Sequence, residues 1–134
     1  MNVFFDNCTP PRMARTLAGY LENRNQVVHA RDLGLQKATD IQWIDYLKQS
    51  EVDWIVVTGD GRIRKNRAER EAFRRAGLRG IVLAPAYQKT DMGRCCGMIV
   101  VRWDGLMAFA NAIQPPYLIE LAVNLGTRYR VLPL

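Results

Sequence analysis

Residues 53–84 read DWIVVTGDGRIRKNRAEREAFRRAGLRGIVLA. The continuous apolar run Trp54–Val57 is of the kind that a parallel sheet buries on both faces. TGDGRI (58–63) breaks it, and a basic segment over about Asn66–Ala76 reads as a helix. Gly77 and Gly80 then lead into a second apolar run, GIVLA (80–84). Strand, helix, strand with no hairpin-sized turn between the strands is a parallel crossover unit, and such units are right-handed.

The chain before residue 53 repeats the alternation. NVFF (2–5) reads as a short buried strand, and PPRMARTLAGYLENR (10–24) as a helix with prolines at its start, where they are tolerated. Met13, Leu17, Tyr20 and Leu21 fall at helical spacing. QVVHA (26–30) is a second strand and RDLGLQKA (31–38) a loop. TDIQWIDYLKQS (39–50) is a second helix, with Ile41, Ile44 and Leu47 on one face and a capping box formed by Thr39 and Gln42.

After residue 84 the pattern changes. TDMGRCCGMIVVRWDGLMAFANAI (90–113) places Met92, Cys96, Ile99, Trp103, Met107 and Ala110 at helical spacing. MIVV alone would pass for a strand, but the longer period outweighs it. PPYLIELAVNLGTRYRVLPL (115–134) reads as two strands around a turn at 124–127, a hairpin at a sheet edge. The expectation is a single α/β domain over residues 1–134, with a Rossmann-like three-layer fold and a mostly parallel central sheet.

Composition narrows the function classes. The 134 residues are 49% hydrophobic and 24% charged, ordinary for a globular domain. No run approaches the roughly 18 apolar residues of a membrane span, and MNVFFDNC lacks the basic start and apolar stretch of a secretory signal, so the expected location is cytoplasmic. Three cysteines, two of them adjacent, make a poor disulfide framework and read as reduced, mostly buried thiols. One histidine and no paired-cysteine motif argue against zinc. The net charge of +6 favours polyanionic partners, and the basic residues concentrate in RIRKNRAEREAFRR (62–75). A solvated helix face and a phosphate-contacting surface both explain that run.

Three aspartates acquire positions from this layout. Asp6 follows the first strand, Asp60 follows the third just past Thr58, and Asp40 opens the second helix. Ligands of open parallel sheets gather outside the carboxyl ends of the strands, near the topological switch point. Each acid also has a plain explanation: a strand terminator, a helix-dipole partner, a turn residue between Gly59 and Gly61. Together on a basic chain they favour a shared site. Converging carboxylates repel unless a cation joins them, and oxygen ligands without His or Cys point to Mg²⁺ or Mn²⁺.

The ordered run VFFDNCTPPRMARTL, VVHARDLGL, TDIQWIDYL and WIVVTGDGRIRKNRAEREAFRRAGL resembles the PIN-like domains related to VapC-type toxins. More narrowly, it resembles their small branch with an aspartate-glutamate-asparagine motif after the first strand, and the likeness spans about Asn2–Leu83. The resemblance implies a metal-dependent nuclease, mostly of the ribonuclease type, serving as a toxin held by an antitoxin. It assigns Asp6, Asp40 and Asp60 to catalysis and metal binding, with Thr58 orienting the loop and Glu69 at a family acidic position. Asn7 departs from the pattern, since the family usually has glutamate there. An amide can ligate or hydrogen-bond but brings no negative charge and cannot act as a base, which would weaken a second Mg²⁺.

The nuclease expectation adds Arg62, Arg64, Lys65 and Arg67 as contacts to the RNA backbone. Tyr20, Trp43 and Tyr46 could stack on bases, but aromatics at helical spacing belong more often to a core. His29, alone at the end of the second strand, is left out of the site. An exposed hairpin edge would offer a route to a homodimer. Two rivals remain: a catalytically weak or inactive RNA- or protein-binding module, and a phosphoacceptor receiver domain. The receiver fits poorly, for it wants paired acids after the first strand and a lysine after the fifth.

Overall fold

The structure, a computed structural model, describes residues 1–22, 24–59, 61–126 and 128–134. Its elements run β1 (Asn2–Phe5), α1 (Pro11–Leu21), β2 (Val27–His29), α2 (Asp40–Gln49), β3 (Trp54–Thr58), α3 (Arg62–Lys65), α4 (Arg67–Arg75), β4 (Arg79–Leu83), α5 (Met92–Ala110), β5 (Tyr117–Leu121) and β6 (Arg130–Leu132). Short 3₁₀ turns occupy Ala30–Leu33 and Pro85–Lys89. The six strands form one sheet in the order β2-β1-β3-β4-β5-β6. All neighbouring pairs are parallel except β5 and β6, which are antiparallel. The α/β, mostly parallel, three-layer expectation holds.

Alternation along the strands divides the core in two. Val3, Phe5, Ile55, Val57, Ile81 and Ile119 face a layer built by α1 and α5. Phe4, Val56, Val82 and Leu118 face the opposite layer, where α2 and α4 lie side by side. On that second face the Phe4 ring packs 5.2 Å from Trp43 and meets Trp54 edge-on at 6.4 Å. Gly80 lets α4 approach: a Cβ there would stand 2.5 Å from Leu118 Cδ2 and 2.8 Å from the Phe73 ring.

Several expectations shift in detail. The first helix ends at Leu21, with Glu22 in the left-handed region at φ 44° rather than continuing to Arg24; Asn23 is outside the described residues. Tyr20, placed by its spacing with the apolar set, is 40% exposed and donates its hydroxyl to Asp104 at 2.5 Å. Ile41 is likewise 42% exposed, because α2 seats Trp43, Ile44 and Leu47 instead, with the Trp43 ring on Phe4. The capping box forms as read: Thr39 Oγ1 accepts from Gln42 N–H, and Gln42 Oε1 accepts from Thr39 N–H. An extra helical turn, α3, precedes the basic helix and buries Ile63. The loop at 31–38 begins inside a 3₁₀ turn.

The helical reading of 92–110 holds, MIVV included. All three cysteines are reduced thiols, but Cys8 is exposed rather than buried, and Cys96 is only partly covered. The terminal strands do pair as an antiparallel unit, with β6 at the edge, whereas β5 lies inside the sheet, parallel to β4. The turn read at 124–127 includes Thr127, which is outside the described residues. The buried Arg102 of α5 ties this connection down: it donates to Asn124 O at 2.6 Å and Arg128 O at 3.3 Å and lies 4.9 Å over the Tyr129 ring. No helix among the described residues is long and apolar enough to cross a membrane.

Candidate active site at the carboxyl edge of the sheet

The chain leaves β1 toward β2 on one side of the sheet, and builds β3, β4 and β5 on the other. The connections therefore diverge between β1 and β3, which makes the carboxyl ends of those two strands the switch point. Asp6 stands there, one residue past β1, and its N–H extends the ladder to Val57 O at 3.1 Å. Thr58, the last residue of β3, is buried beside it. The two following loops touch: a Cβ on Gly59 would lie 2.7 Å from Cys8 O, so only glycine allows this approach.

A local network holds the Asp6 loop. The side chain is 1% exposed, and its Oδ1 accepts from Cys8 N–H at 3.1 Å. Its carbonyl accepts from Thr9 N–H at 3.1 Å and from Thr9 Oγ1 at 2.7 Å. His29, buried at the end of β2, braces the same loop. Its Nδ1 accepts from Arg31 N–H at 3.0 Å, so the ring proton sits on Nε2 and is donated to Thr9 O at 2.8 Å. Both ring nitrogens are engaged, and the histidine is a strut. Asn7 is exposed, and its Nδ2 donates to Leu35 O at 2.9 Å, tying the loop to the segment that precedes α2.

The other acids reach the same edge through their helices. Both α2 and α4 return the chain to the start of a parallel strand, so each begins at the carboxyl edge. Asp40 is the first residue of α2, partly buried, with Oδ1 accepting from Trp43 Nε1 at 2.9 Å. Its carboxylate thus both serves the positive end of the helix and orients a core ring. Glu69 lies in the first turn of α4, partly buried, and its N–H is capped by Asn66 Oδ1 at 3.0 Å. Asp60 is outside the described residues.

Among the described residues, no three His, Cys, Asp or Glu side chains gather as a metal cluster. Asp6 and Asp40 both present carboxylate oxygens at this edge, hard donors of the kind that could hold Mg²⁺ or Mn²⁺. Asn7 adds an amide oxygen whose orientation is fixed by the bond from Nδ2 to Leu35 O.

Two clefts open on either side of Gly59. One, of about 220 Å³, is largely apolar and includes Cys8, Met13, Tyr87 and Cys95. Burial pushes the Tyr87 hydroxyl up to about 12 and raises the Cys95 thiol. The other, of about 350 Å³, runs from Gly59 and Gly61 to β5 and is lined by Arg64, Lys65, Gln88 and Glu120. Arg64 and Lys65 thus stand beside the edge. Arg62 and Arg67 are exposed on the same basic segment. Tyr46, at 44% exposed, lies outside the core, whereas Trp43 is fully inside it. Glu120 escaped the sequence reading, although one carboxylate among Tyr117, Leu118, Ile119 and Leu121 was a visible signal.

The strand order β2-β1-β3-β4-β5 is common to other doubly wound proteins, so it leaves the chemistry open. A family model described as a PIN like domain matches residues 1–85, which include Asp6, Asp40 and the Thr58–Gly59 segment. No curated protein and no solved structure matches the chain.

Proposed function

The chain belongs to the PIN-like domain family, and from that premise we propose that it is a metal-dependent endoribonuclease. Asp6, Asp40 and Asp60 would hold Mg²⁺ or Mn²⁺ and carry catalysis. The single observation that supports this most is the placement of a buried Asp6 at the β1/β3 switch point, against the loop that leads to residue 60. Family membership makes a nuclease-type fold the general setting. A bound divalent cation would stabilise negative charge building on the scissile phosphate and ease deprotonation of attacking water.

The protein's own residues supply the rest. Arg64 and Lys65 would bind the flanking phosphates, with Arg62 and Arg67 extending the positive surface. Thr58 and Gly59 fix the loop, Glu69 is a supporting acid at the start of α4, and the Asn7 amide would orient substrate or ion without acting as a base. Single-stranded RNA is the proposed substrate, and a toxin role opposed by an antitoxin protein follows the family resemblance. With asparagine in place of an acid, the site should prefer Mn²⁺ or need high Mg²⁺. An RNA- or protein-binding module with weak or no catalysis is the second reading, favoured by the structural use of Asn7.

The test is cleavage of mixed cellular RNA by purified protein with Mg²⁺ or Mn²⁺, beside EDTA and Asp60→Asn controls. The nuclease reading expects cleavage that both controls abolish. RNA binding by folded protein without cleavage under either metal would select the binding module.

A further inference from the structure

Glu120 is an acid in an otherwise apolar strand, and the nuclease proposal leaves it unused. Its side chain is 26% exposed and forms an ion pair with Arg130, opposite it on β6, whose Nη1 lies 3.9 Å from Oε1, longer than a hydrogen bond. At that separation the ion pair leaves the carboxylate oxygens able to accept hydrogen bonds from other donors. Here the donors would come from the cleft. Val82 and Leu132 line it with apolar atoms, Gln88 and Glu120 with polar groups, and Arg64 and Lys65 add positive charge. At about 350 Å³ it falls in the range of small-molecule sites.

We propose that this cleft is a base-recognition pocket that selects guanine next to the scissile phosphate, with Glu120 as the specificity-determining residue. The proposal rests on the nuclease reading for the RNA itself. A carboxylate only accepts hydrogen bonds. Among the four RNA bases, guanine alone presents two adjacent donors, N1–H and N2–H, on its Watson–Crick edge. Adenine and cytosine set an amino group beside a ring acceptor, and uracil flanks its single N–H with two carbonyls. Splayed single-stranded bases are read along such edges. Gln88, able to donate and accept, would meet the guanine O6, the apolar lining residues would contact the base, and Arg64 and Lys65 would hold the phosphate.

The experiment is fluorescence anisotropy of four labelled RNA pentamers, differing only in a central G, A, C or U within uridines, in EDTA so that nothing is cleaved. The G pentamer should bind roughly 10-fold or more tighter than the others. Glu120→Gln, nearly isosteric, should erase that preference while retaining general affinity from the basic residues. Gln88→Ala, at an exposed position, should reduce it in part. Equal binding of all four, no binding of any, or a preference unchanged in Glu120→Gln would overturn the pocket. A guanine preference without metal-dependent cleavage would keep the pocket and remove the nuclease reading. Asp60-dependent cleavage with no base preference would do the reverse.

Discussion

The two faces of the sheet use their helices differently. On one, the 19 residues of α5 bury Cys95, Ile99, Trp103, Leu106 and Ala110 in a seam shared with α1. On the other, the nine residues of α4 bury only Phe73, and the rest of the helix is mainly charged. Core on that face combines four large rings, Phe4, Trp43, Trp54 and Phe73, with aliphatic side chains such as Ile44, Leu47, Val56 and Leu118. The first face is built for stability. The second draws its core from α2 and the sheet more than from α4, and lets α3 and α4 carry charge to the carboxyl edge.

That division can be broken by substitution. Trp103→Ala and Phe73→Ala should each cost about 3–5 kcal/mol in denaturant unfolding, since each empties a large buried volume. A small loss at Phe73 would mean that α4 is not anchored above Gly80. Gly59→Ala is next: its methyl group would collide with Cys8 O, costing about 1–3 kcal/mol and parting the β1 and β3 loops. RNA cleavage should fall with it, beyond what the lost stability explains, when assayed well below the melting temperature.

Charge on the second face should separate from stability. Arg64→Glu with Lys65→Glu should shift unfolding by less than about 1 kcal/mol, as expected of surface changes. The same pair should weaken RNA binding and lower the salt slope by about 0.7 for each phosphate that the protein no longer neutralises. Unchanged RNA affinity would remove α3 from the interface.

The smallest effect lies beside the apolar cleft. Tyr87 ionises at about 12 when folded, against 10.0 for an ordinary tyrosine, mainly because it is buried. The unfolded chain therefore loses its proton first, so this contribution is complete below pH 10 and is lost as pH rises toward 12. Tyr87→Phe should flatten that alkaline decline in a pH series of unfolding midpoints, at the expense of the hydrogen bond to Ala122 O, about 0.5–1.5 kcal/mol.

Sequence carried much of the framework because β1, β3 and β4 are apolar runs bounded by turn residues, and because the long period through 92–110 outweighs the local strand propensity of MIVV. Helix faces were less legible. Ile41 and Tyr20 have the right spacing, but which side a helix buries depends on partners such as Phe4 and Asp104, far away in sequence. The interior position of β5 was hidden for a similar reason: a strand before a hairpin looks like an edge until a crossover helix lays it beside β4. At the site, Asp6 and the contact of its loop with Gly59 were approachable through topology. Glu120 was not found, because the cleft it lines is formed jointly by the loop after β3 and by β4, β5 and β6.

The most direct test is the cleavage rate of single-stranded RNA by Asp6→Asn across a Mn²⁺ titration, in protein with an unchanged circular-dichroism spectrum. A loss of at least about 100-fold is expected, in line with removal of a group essential to proton transfer or charge stabilisation. Wild-type rates in Asp6→Asn at any Mn²⁺ concentration would contradict a metal centre at the β1/β3 edge.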